Sequence, residues 1–388
     1  MIHTENFIYG LEKAGIRFIT GVPDSLLKDV CACITAKFGS ERHIVATNEG
    51  SAVGLAIGHY LATARPALVY LQNSGVGNAL NPVTSLADTQ VYAIPLVLMI
   101  GWRGELMEGE AEAQDEPQHV KQGQVTLSQL DLLDIPYQIL DADTSEIETI
   151  LQHAVTDALA RSGPVALVVR KNTFTRFSLE KSLQKGLELS REEAIQQVLD
   201  LLPADAAVVS TTGMASREVF ELRKQVGAGH QRDFLTVGGM GHAGQIAAGI
   251  ALACPHRTVV CIDGDGAVLM HAGALAVSAD CPNLLHIVLN NEAHDSVGGQ
   301  PTKGNVLRFD RIADAFGYRY TDFAIGRDDL REKLARMLNL GGSALLEVRC
   351  KQGARKDLGR PDRHPVQNKT DFMKFLRGGN AYENGIDG

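Results

Sequence analysis

The chain has 388 residues and a formal net charge of −9, with 45% hydrophobic and 21% charged residues. This length allows two domains of ordinary size, and the composition is that of a soluble globular protein. The negative charge argues against nucleic acid as a partner, and no run is apolar for long enough to span a membrane. The six cysteines show no CxxC spacing and the N-terminus no signal peptide, so we expect reduced thiols in the cytoplasm.

The first half of the chain alternates apolar, β-branched runs with helical patterns. A helix is predicted over residues 3–15, and six strand candidates follow: RFITGVP, HIVATN, PALVYLQ, IPLVLMIG, PYQIL and PVALVVR. Between these strands, helices are predicted from Asp24, from Glu49, from Val76 and over residues 144–161. The alternation predicts a doubly wound parallel sheet.

Residues 173–190 lose the alternation and gain charge, which is typical of a linker between domains. Six further strand candidates follow: AAVVSTTG, DFLTVGG, RTVVCIDGDG, LLHIVLNN, YRYTDF and SALLEVRC. The sequence therefore predicts an α/β protein with two doubly wound parallel-sheet domains, over residues 1–172 and 191–352. We expect residues 353–388 to form an arm that frays at its end.

A glycine-rich turn at residues 264–266 (GDG) dominates the second half of the chain. It follows the strand RTVVCI, precedes a helix predicted over 267–279, and lies one strand before Asn290 and Asn291. A right-handed crossover brings Asp265 and Asn291 to the same edge of the sheet. Their oxygens, with a backbone carbonyl, suit Mg²⁺, and the glycines allow a diphosphate to approach. An ordinary turn with capping asparagines is the alternative.

Polar residues also follow two strands of the first predicted sheet. Glu49 lies where HIVATN becomes a helix, at an edge where open α/β sheets bind ligands. Alone, Glu49 would be interpreted as a helix cap stabilised by under about 1 kcal/mol. The turn QNSGVGN at residues 72–78 places Asn73 and Ser74 where they can line a substrate space, and a plain turn is its alternative.

The GDG turn with the downstream asparagine pair resembles the signature of thiamine diphosphate enzymes. The resemblance implies the thiamine diphosphate-binding fold, with a pyrimidine-type domain, a diphosphate-type domain and no middle domain. It implies that Asp265, Asn291 and the carbonyl of Ala293 bind Mg²⁺, and that Glu49 hydrogen-bonds N1′ of the aminopyrimidine. The other cofactor-binding residues that it implies are Asn73, Thr212, Gly213, Gly238, Met240, Gly264, Asp265, Gly266 and Ala267. Met240 fits a core position equally well.

Four stretches resemble one family among the thiamine diphosphate enzymes: YLQNSGVGNALNPVTSL, IGWRGE, DEPQHVKQG and NNEAHDSVGGQPT. They resemble the phosphonopyruvate decarboxylase family, which converts 3-phosphonopyruvate to phosphonoacetaldehyde and CO₂ in phosphonate biosynthesis. The resemblance implies a carboxy-lyase for a small anionic 2-oxo acid. It also implies self-association, because the cofactor of this superfamily lies between domains of different subunits. His294 and Asp295 are candidate catalytic residues beside the metal loop. Lone histidines are usually structural, but one beside a cofactor is a reasonable proton donor.

The acid group of such a substrate requires cations. The candidate substrate residues are Ser74, Arg103, His119 and Lys121, although such charges are more often solvated surface groups. The stretch from Glu105 to Glu116 contains six carboxylates. This is a departure from expectation, because a loop beside a phosphonate should not carry so much negative charge. The alternatives are a sulfopyruvate decarboxylase, a synthase that joins two 2-oxo acids, and a non-catalytic phosphate-binding α/β protein in which Glu49 only caps a helix.

Overall fold

The computed structural model describes residues 1–106, 115–179 and 186–378. The chain divides into a first unit, Met1–Lys181 with Ser296–Gln300, and a second unit, Ser182–Asp295 with Pro301–Gly388. The change of unit falls inside the stretch 173–190 that the sequence marks as a linker. Most of the acidic stretch predicted between Glu105 and Glu116 and the end predicted to fray lie outside the described residues.

The first unit is built around a six-stranded parallel sheet. In the described residues its strands are β1 (Ile19–Gly21), β2 (His43–Val45), β3 (Ala67–Gln72), β4 (Leu96–Gly101), β5 (Tyr137–Leu140) and β6 (Pro164–Val169). Its helices there are α1 (Thr4–Lys13), α2 (Lys28–Arg42), α3 (Glu49–Thr63), α4 (Val76–Pro82), α5 (Pro117–Leu132) and α6 (Ile147–Arg161). The strand order is β2-β1-β3-β4-β6-β5, and every neighbouring pair is parallel.

The second unit repeats this architecture. Among the residues described, its strands are β7 (Ala207–Ser210), β8 (Asp233–Leu235), β9 (Val259–Gly264), β10 (Leu284–Asn290), β11 (Tyr320–Ile325) and β12 (Ala344–Arg349). Its helices are α7 (Arg191–Leu201), α8 (Met214–Gln225), α9 (Ala243–Ala253), α10 (Asp265–Met270), α11 (Leu275–Ser278), α12 (Phe309–Ala315), α13 (Arg327–Leu338) and α14 (Pro365–Leu376). The order is β11-β12-β10-β9-β7-β8, again with parallel pairs.

The central strands explain why the sequence folds this way. Every residue of β4, β6 and β10 is buried, as expected for strands covered by helices on both faces. Each buried Val, Leu or Ile side chain stabilises its unit by about 1.5–3 kcal/mol. The strand order reverses between β1 and β3 and between β7 and β9. Open α/β sheets bind ligands beyond the carboxyl ends of the strands at such reversals.

The predicted fold class and all twelve strands are confirmed, but two helix predictions are wrong. The helix predicted over 267–279 is interrupted at His271 (φ −138°, ψ 47°) and continues through a 3₁₀ turn into α11. Apolar periodicity does not reveal a single non-helical residue. The helix predicted from Asp24 begins only at Lys28, because the Asp24 carboxylate accepts the amide of Leu26 and forms a local turn instead.

The described ranges contain no helix with both the length and the apolar character that crossing a membrane requires.

Candidate active site

Asp265 and the two asparagines come together at the carboxyl edge of the second sheet. Leu289 of β10 pairs with Gly264 of β9, so the next residues along the two parallel strands, Asn290 and Asp265, are neighbours. The Asn290 side chain is engaged by protein groups, since its amide donates to Gly304 O (2.9 Å) and Glu347 Oε1 (2.8 Å). Asn290 therefore fixes the loop, and Asn291 is the member of the pair that can face a ligand.

Asp265 is buried without a cationic partner among the described residues. Its side chain is 2% exposed, and burial raises its pKa to about 6 against the lowering effect of a hydrogen bond from the Thr302 hydroxyl. An ionised carboxylate in such surroundings lacks the compensation that water or a countercharge provides. The position therefore favours a bound cation over an empty, ionised state.

A buried ion network orients Asn291. Its amide nitrogen donates to Asp295 Oδ2, and its Oδ1 accepts from the amide of Ala293 at 3.3 Å. Asp295 Oδ2 also accepts from Arg191 Nη1 (2.8 Å) and from the amide of Gly353 (2.9 Å). An amide oxygen has two lone pairs, so the hydrogen bond from the Ala293 amide is compatible with metal binding by Asn291 Oδ1. The structure thus gives Asp295 a positioning contact, and its catalytic role stays a prediction.

His294 lies against the GDG turn. A Cβ added at Gly266 would lie 3.0 Å from Cε1 of His294, so a side chain at 266 would displace the imidazole. Burial lowers the pKa of His294 to about 4. The imidazole is therefore neutral at pH 7 and can donate or accept one hydrogen bond, but it does not carry a second proton.

The other predicted cofactor residues of the second unit lie in turns at the same sheet edge. Gly213 has φ 89° and immediately precedes α8, a backbone conformation that glycine adopts without strain. Thr212, Gly238 and Met240 are partly exposed in the turns after β7 and β8, whereas Ala267 is buried in α10. The strand order β9-β7-β8 sets the three turns side by side. Their contacts with a cofactor stay a prediction.

Glu49 occupies a buried position at the carboxyl edge of the first sheet. It is the first residue of α3 and only 5% exposed, with Asn78 Nδ2 donating to its Oε2 at 2.8 Å. Burial raises its pKa. A Cβ at Gly75 would lie 2.7 Å from Glu49 Cδ, so the glycine makes room for the carboxyl group. A simple helix cap would be solvated, whereas this carboxyl group holds a proton more readily than usual.

Among the predicted substrate residues, Arg103 is held by protein groups. Arg103 Nε donates to Asp115 Oδ2 (2.7 Å), and Nη1 donates to Ser25 Oγ (2.8 Å). Burial alone would raise the pKa of Asp115, but hydrogen bonds from Arg103 and from the Glu116 amide lower it to about 2. Arg103 is therefore held by an ionised carboxylate. His119 is buried in α5, while Lys121 in the same helix and Ser74 after β3 are exposed.

Asn73 supports this arrangement. Its amide nitrogen donates to Arg103 O (2.8 Å) and Thr126 Oγ1 (2.9 Å), and its Oδ1 accepts the Arg103 amide at 3.3 Å. Both donors of the side chain are consumed by protein groups. Its predicted cofactor contact stays a prediction, and the observed role is to hold the backbone of Arg103.

Comparison with known proteins places this geometry in a family. The N-terminal TPP binding domain of the thiamine pyrophosphate enzymes matches residues 2–130, and their C-terminal TPP binding domain matches residues 211–348. The chain belongs to the thiamine pyrophosphate enzyme family. This confirms the predicted pyrimidine-type and diphosphate-type order of the two halves.

Curated members of the thiamine pyrophosphate enzyme family align with nearly the whole chain. Phosphonopyruvate decarboxylase of Streptomyces viridochromogenes is 34% identical over 97% of this chain and 95% of that protein. The Streptomyces hygroscopicus enzyme of the same name is 33% identical over 97% and 94%. Sulfopyruvate decarboxylase of Methanosarcina acetivorans is 28% identical over 90% and 91%. The predicted resemblance to phosphonopyruvate decarboxylase is confirmed.

Sequence reasoning missed the buried carboxylate of Asp24, which lies at the ligand-binding edge of the first sheet. Asp24 follows β1 beside the strand-order reversal, is fully buried, and accepts a hydrogen bond from Gln72 Nε2. Burial raises its pKa despite that bond and the charge of Arg103. The available signal was its position, since Asp24 directly follows the strand candidate RFITGVP just as Glu49 follows HIVATN.

Proposed function

We propose that this chain decarboxylates 3-phosphonopyruvate to phosphonoacetaldehyde and CO₂, with thiamine diphosphate and Mg²⁺ as cofactors. The observation that carries the proposal is the pair of buried carboxyl groups with raised pKa values, Glu49 and Asp265, at the sheet edges of a thiamine pyrophosphate enzyme. Glu49 serves the pyrimidine end of the cofactor, and Asp265 serves its diphosphate end. The near-complete alignment with two phosphonopyruvate decarboxylases supports the substrate. The cytoplasmic location belongs to the same proposal, and the free cysteines support it.

The side chains at these positions fit both thiamine diphosphate and Mg²⁺. Asp265 and Asn291 offer a carboxylate and an oriented amide oxygen, which with the Ala293 carbonyl form the hard oxygen set that Mg²⁺ prefers. Thiamine diphosphate supplies the electron sink for loss of CO₂ from a 2-oxo acid. Glu49 would hold a proton at its carboxyl oxygen for the pyrimidine end of the cofactor. His294 contributes a neutral imidazole beside Gly266.

The direct experiment is a spectrophotometric screen of 2-oxo acids with thiamine diphosphate and Mg²⁺. We expect turnover of 3-phosphonopyruvate with a kcat/KM at least about tenfold above those of sulfopyruvate and pyruvate, a difference of about 1.4 kcal/mol. A chelator should stop the reaction and excess Mg²⁺ should restore it. Faster turnover of sulfopyruvate would replace the proposed substrate, and this alternative has support in the sulfopyruvate decarboxylase relative.

Lys121 is the test of phosphonate binding, because Arg103 is already paired with Asp115. Lys121→Ala is expected to raise KM for 3-phosphonopyruvate about tenfold through loss of one charge contact, and to change KM for pyruvate less than about twofold. Steady-state kinetics with both substrates measure the difference. Lys369→Ala removes another exposed lysine ammonium group, from α14, and should alter neither KM value. Equal effects of Lys121→Ala on both substrates would remove this lysine from phosphonate binding.

The self-association expected from the sequence is also part of this proposal. Leu55 and Leu61 of α3 and Leu80 of α4 are 41%, 70% and 44% exposed, which supports an interface on the first unit. If Glu49 of one copy serves Asp265 of another, a mixed Glu49→Gln and Asp265→Asn dimer retains one intact site.

An equal mixture of the two variants tests this arrangement. After joint refolding, about a quarter of wild-type activity is expected, since half of the random dimers are mixed and each of those has one of two sites intact. Each variant refolded alone is the control. No recovery in the mixture would assign both residues to a site within one chain.

A further inference from the structure

A second group of ligand-type side chains lies inside the second unit, on one face of β9 and β10. Cys261 and Asp263 are two residues apart on β9 and therefore point to the same face. His286 of β10 pairs with Cys261 in the strand register, which brings its ring to that face as well. All three side chains are buried, and one ligand atom from each lies within 4.8 Å of the others.

The spacing within this cluster differs from that of a hydrogen-bonded pair. His286 Nε2 lies 3.5 Å from Asp263 Oδ2 and makes no hydrogen bond to any residue in the described ranges. This separation is long for a hydrogen bond between nitrogen and oxygen. Two ligand atoms at about 2.0–2.1 Å from a tetrahedral Zn²⁺ are about 3.4 Å apart. The distance of 3.5 Å between His286 Nε2 and Asp263 Oδ2 matches this separation.

Neighbouring groups hold the cluster in this geometry. The other ring nitrogen of His286, Nδ1, lies 3.3 Å from the Tyr318 hydroxyl, an outer contact that fixes the ring orientation. A Cβ at Gly244 of α9 would lie 3.1 Å from His286 Cε1, so a larger residue there would press on the imidazole. A small cavity lined by Asp263, His286 and Ser278 adjoins the cluster and leaves space for one solvent ligand.

We propose that Cys261, Asp263 and His286 form a binding site for a tightly held Zn²⁺, separate from the proposed Mg²⁺ site at Asp265 and Asn291. A thiolate, an imidazole and a carboxylate are a ligand set for Zn²⁺, whereas Mg²⁺ disfavours sulfur. Zinc binds the thiolate form of cysteine, so binding releases the Cys261 proton to solvent. The bound ion would tie the two central strands that present the GDG turn and the asparagine pair.

Metal analysis of the full chain tests the site independently of decarboxylation. Protein dialysed against Zn²⁺ and then against a mild chelator that strips Mg²⁺ is expected to retain about one Zn²⁺ per chain. His286→Gln and Cys261→Ser should each reduce this below about a tenth. His43→Gln is the matched control, since His43 is a buried histidine of the first unit, 2.8 Å from the Tyr70 hydroxyl. Full zinc retention by His286→Gln, or no zinc in the wild-type protein, would overturn the proposal.

Cobalt substitution keeps the test decisive if a variant fails to fold. Co²⁺ bound by wild-type protein should give the near-ultraviolet absorption of a thiolate ligand and the intense visible bands of a tetrahedral site. Absence of the thiolate band from the wild-type protein would exclude Cys261 as a ligand and overturn the site. Because this spectrum requires no substrate or thiamine diphosphate, failure of the zinc site leaves the proposed decarboxylase function unaffected.

Discussion

Replacement of Glu49 by glutamine is expected to lower kcat about 10²- to 10⁴-fold while thiamine diphosphate and Mg²⁺ still bind. The loss follows from the chemistry of the side chain, because an amide cannot exchange a proton with the cofactor nitrogen as a carboxyl group does. The fold should tolerate the change. Glutamine has the same shape, and its carbonyl oxygen can still accept the hydrogen bond that Asn78 donates at 2.8 Å.

The stability of this variant separates a catalytic from a capping role. Burial raises the pKa of Glu49 in the folded state, so the folded protein binds this proton more tightly than the unfolded chain. The stabilisation is present at low pH and is lost as the pH rises through the folded-state pKa. Glu49→Gln removes this dependence, and its free energy of unfolding at pH 7 should equal or exceed that of the wild-type protein. Urea unfolding at several pH values measures it.

The control for Glu49→Gln is the same substitution at Glu148, in the first turn of α6. Glu148 pairs with Lys13 at the surface and should change kcat less than about twofold. Cofactor binding is followed by titration of the apoprotein, and kcat by the decarboxylation assay. A Glu49→Gln enzyme within about threefold of wild-type kcat would favour the alternative in which Glu49 only caps α3.

The sequence predicts the sheets and the positions of the main acidic residues, because both follow from local sequence patterns and from the geometry of parallel strands. Fully apolar runs such as IPLVLMIG and LLHIVL indicate strands covered on both faces, and parallel strands bring their carboxyl ends to one edge. Asp265 and Asn290 lie next to each other because of this topology and the strand register. The buried position of Glu49 follows less directly, since it depends on Gly75 leaving room for the carboxyl group.

Contacts between residues distant in sequence could not be predicted in this way. Arg191 starts α7, and its guanidinium bonds both Glu218, 27 positions later, and Asp295, 104 positions later. No periodicity marks such a partner set, because polar side chains pair by three-dimensional proximity rather than by spacing. The same limit hid the pairing of Arg103 with Asp115, which changes Arg103 from a free cation into a held one.

Asp265→Asn is expected to remove Mg²⁺-dependent activity and, in the absence of metal, to stabilise the protein. Loss of the carboxylate should raise the apparent Kd for Mg²⁺ with thiamine diphosphate at least about 100-fold, or about 2.7 kcal/mol. The gain in stability and the affinity for a cation have the same cause, which is the buried charge of Asp265. Burial raises the pKa of Asp265 to about 6, so its ionisation at pH 7 opposes folding of the metal-free chain.

The raised pKa of Asp265 determines how the stability of the metal-free protein changes with pH. In the metal-free wild-type protein, the contribution of Asp265 to stability is present below the ordinary carboxyl pKa of about 4 and is lost as the pH rises through about 6. The loss amounts to at most ~3 kcal/mol by pH 7, and Asp265→Asn should recover much of it. Because protons and Mg²⁺ compete for the same oxygens, Mg²⁺ should bind wild-type protein more weakly below about pH 6.

Asp233→Asn provides the matched contrast within the same unit. Asp233 is also fully buried, but Arg223 Nε and Nη2 both donate to it at 3.0 Å. Removing its charge leaves a buried guanidinium uncompensated and should destabilise the chain by about 3–5 kcal/mol. Urea unfolding of the two metal-free variants should therefore shift in opposite directions. If Asp265→Asn destabilised the metal-free protein as Asp233→Asn does, Asp265 would be part of the scaffold, and the proposed cation site would lose its physical basis.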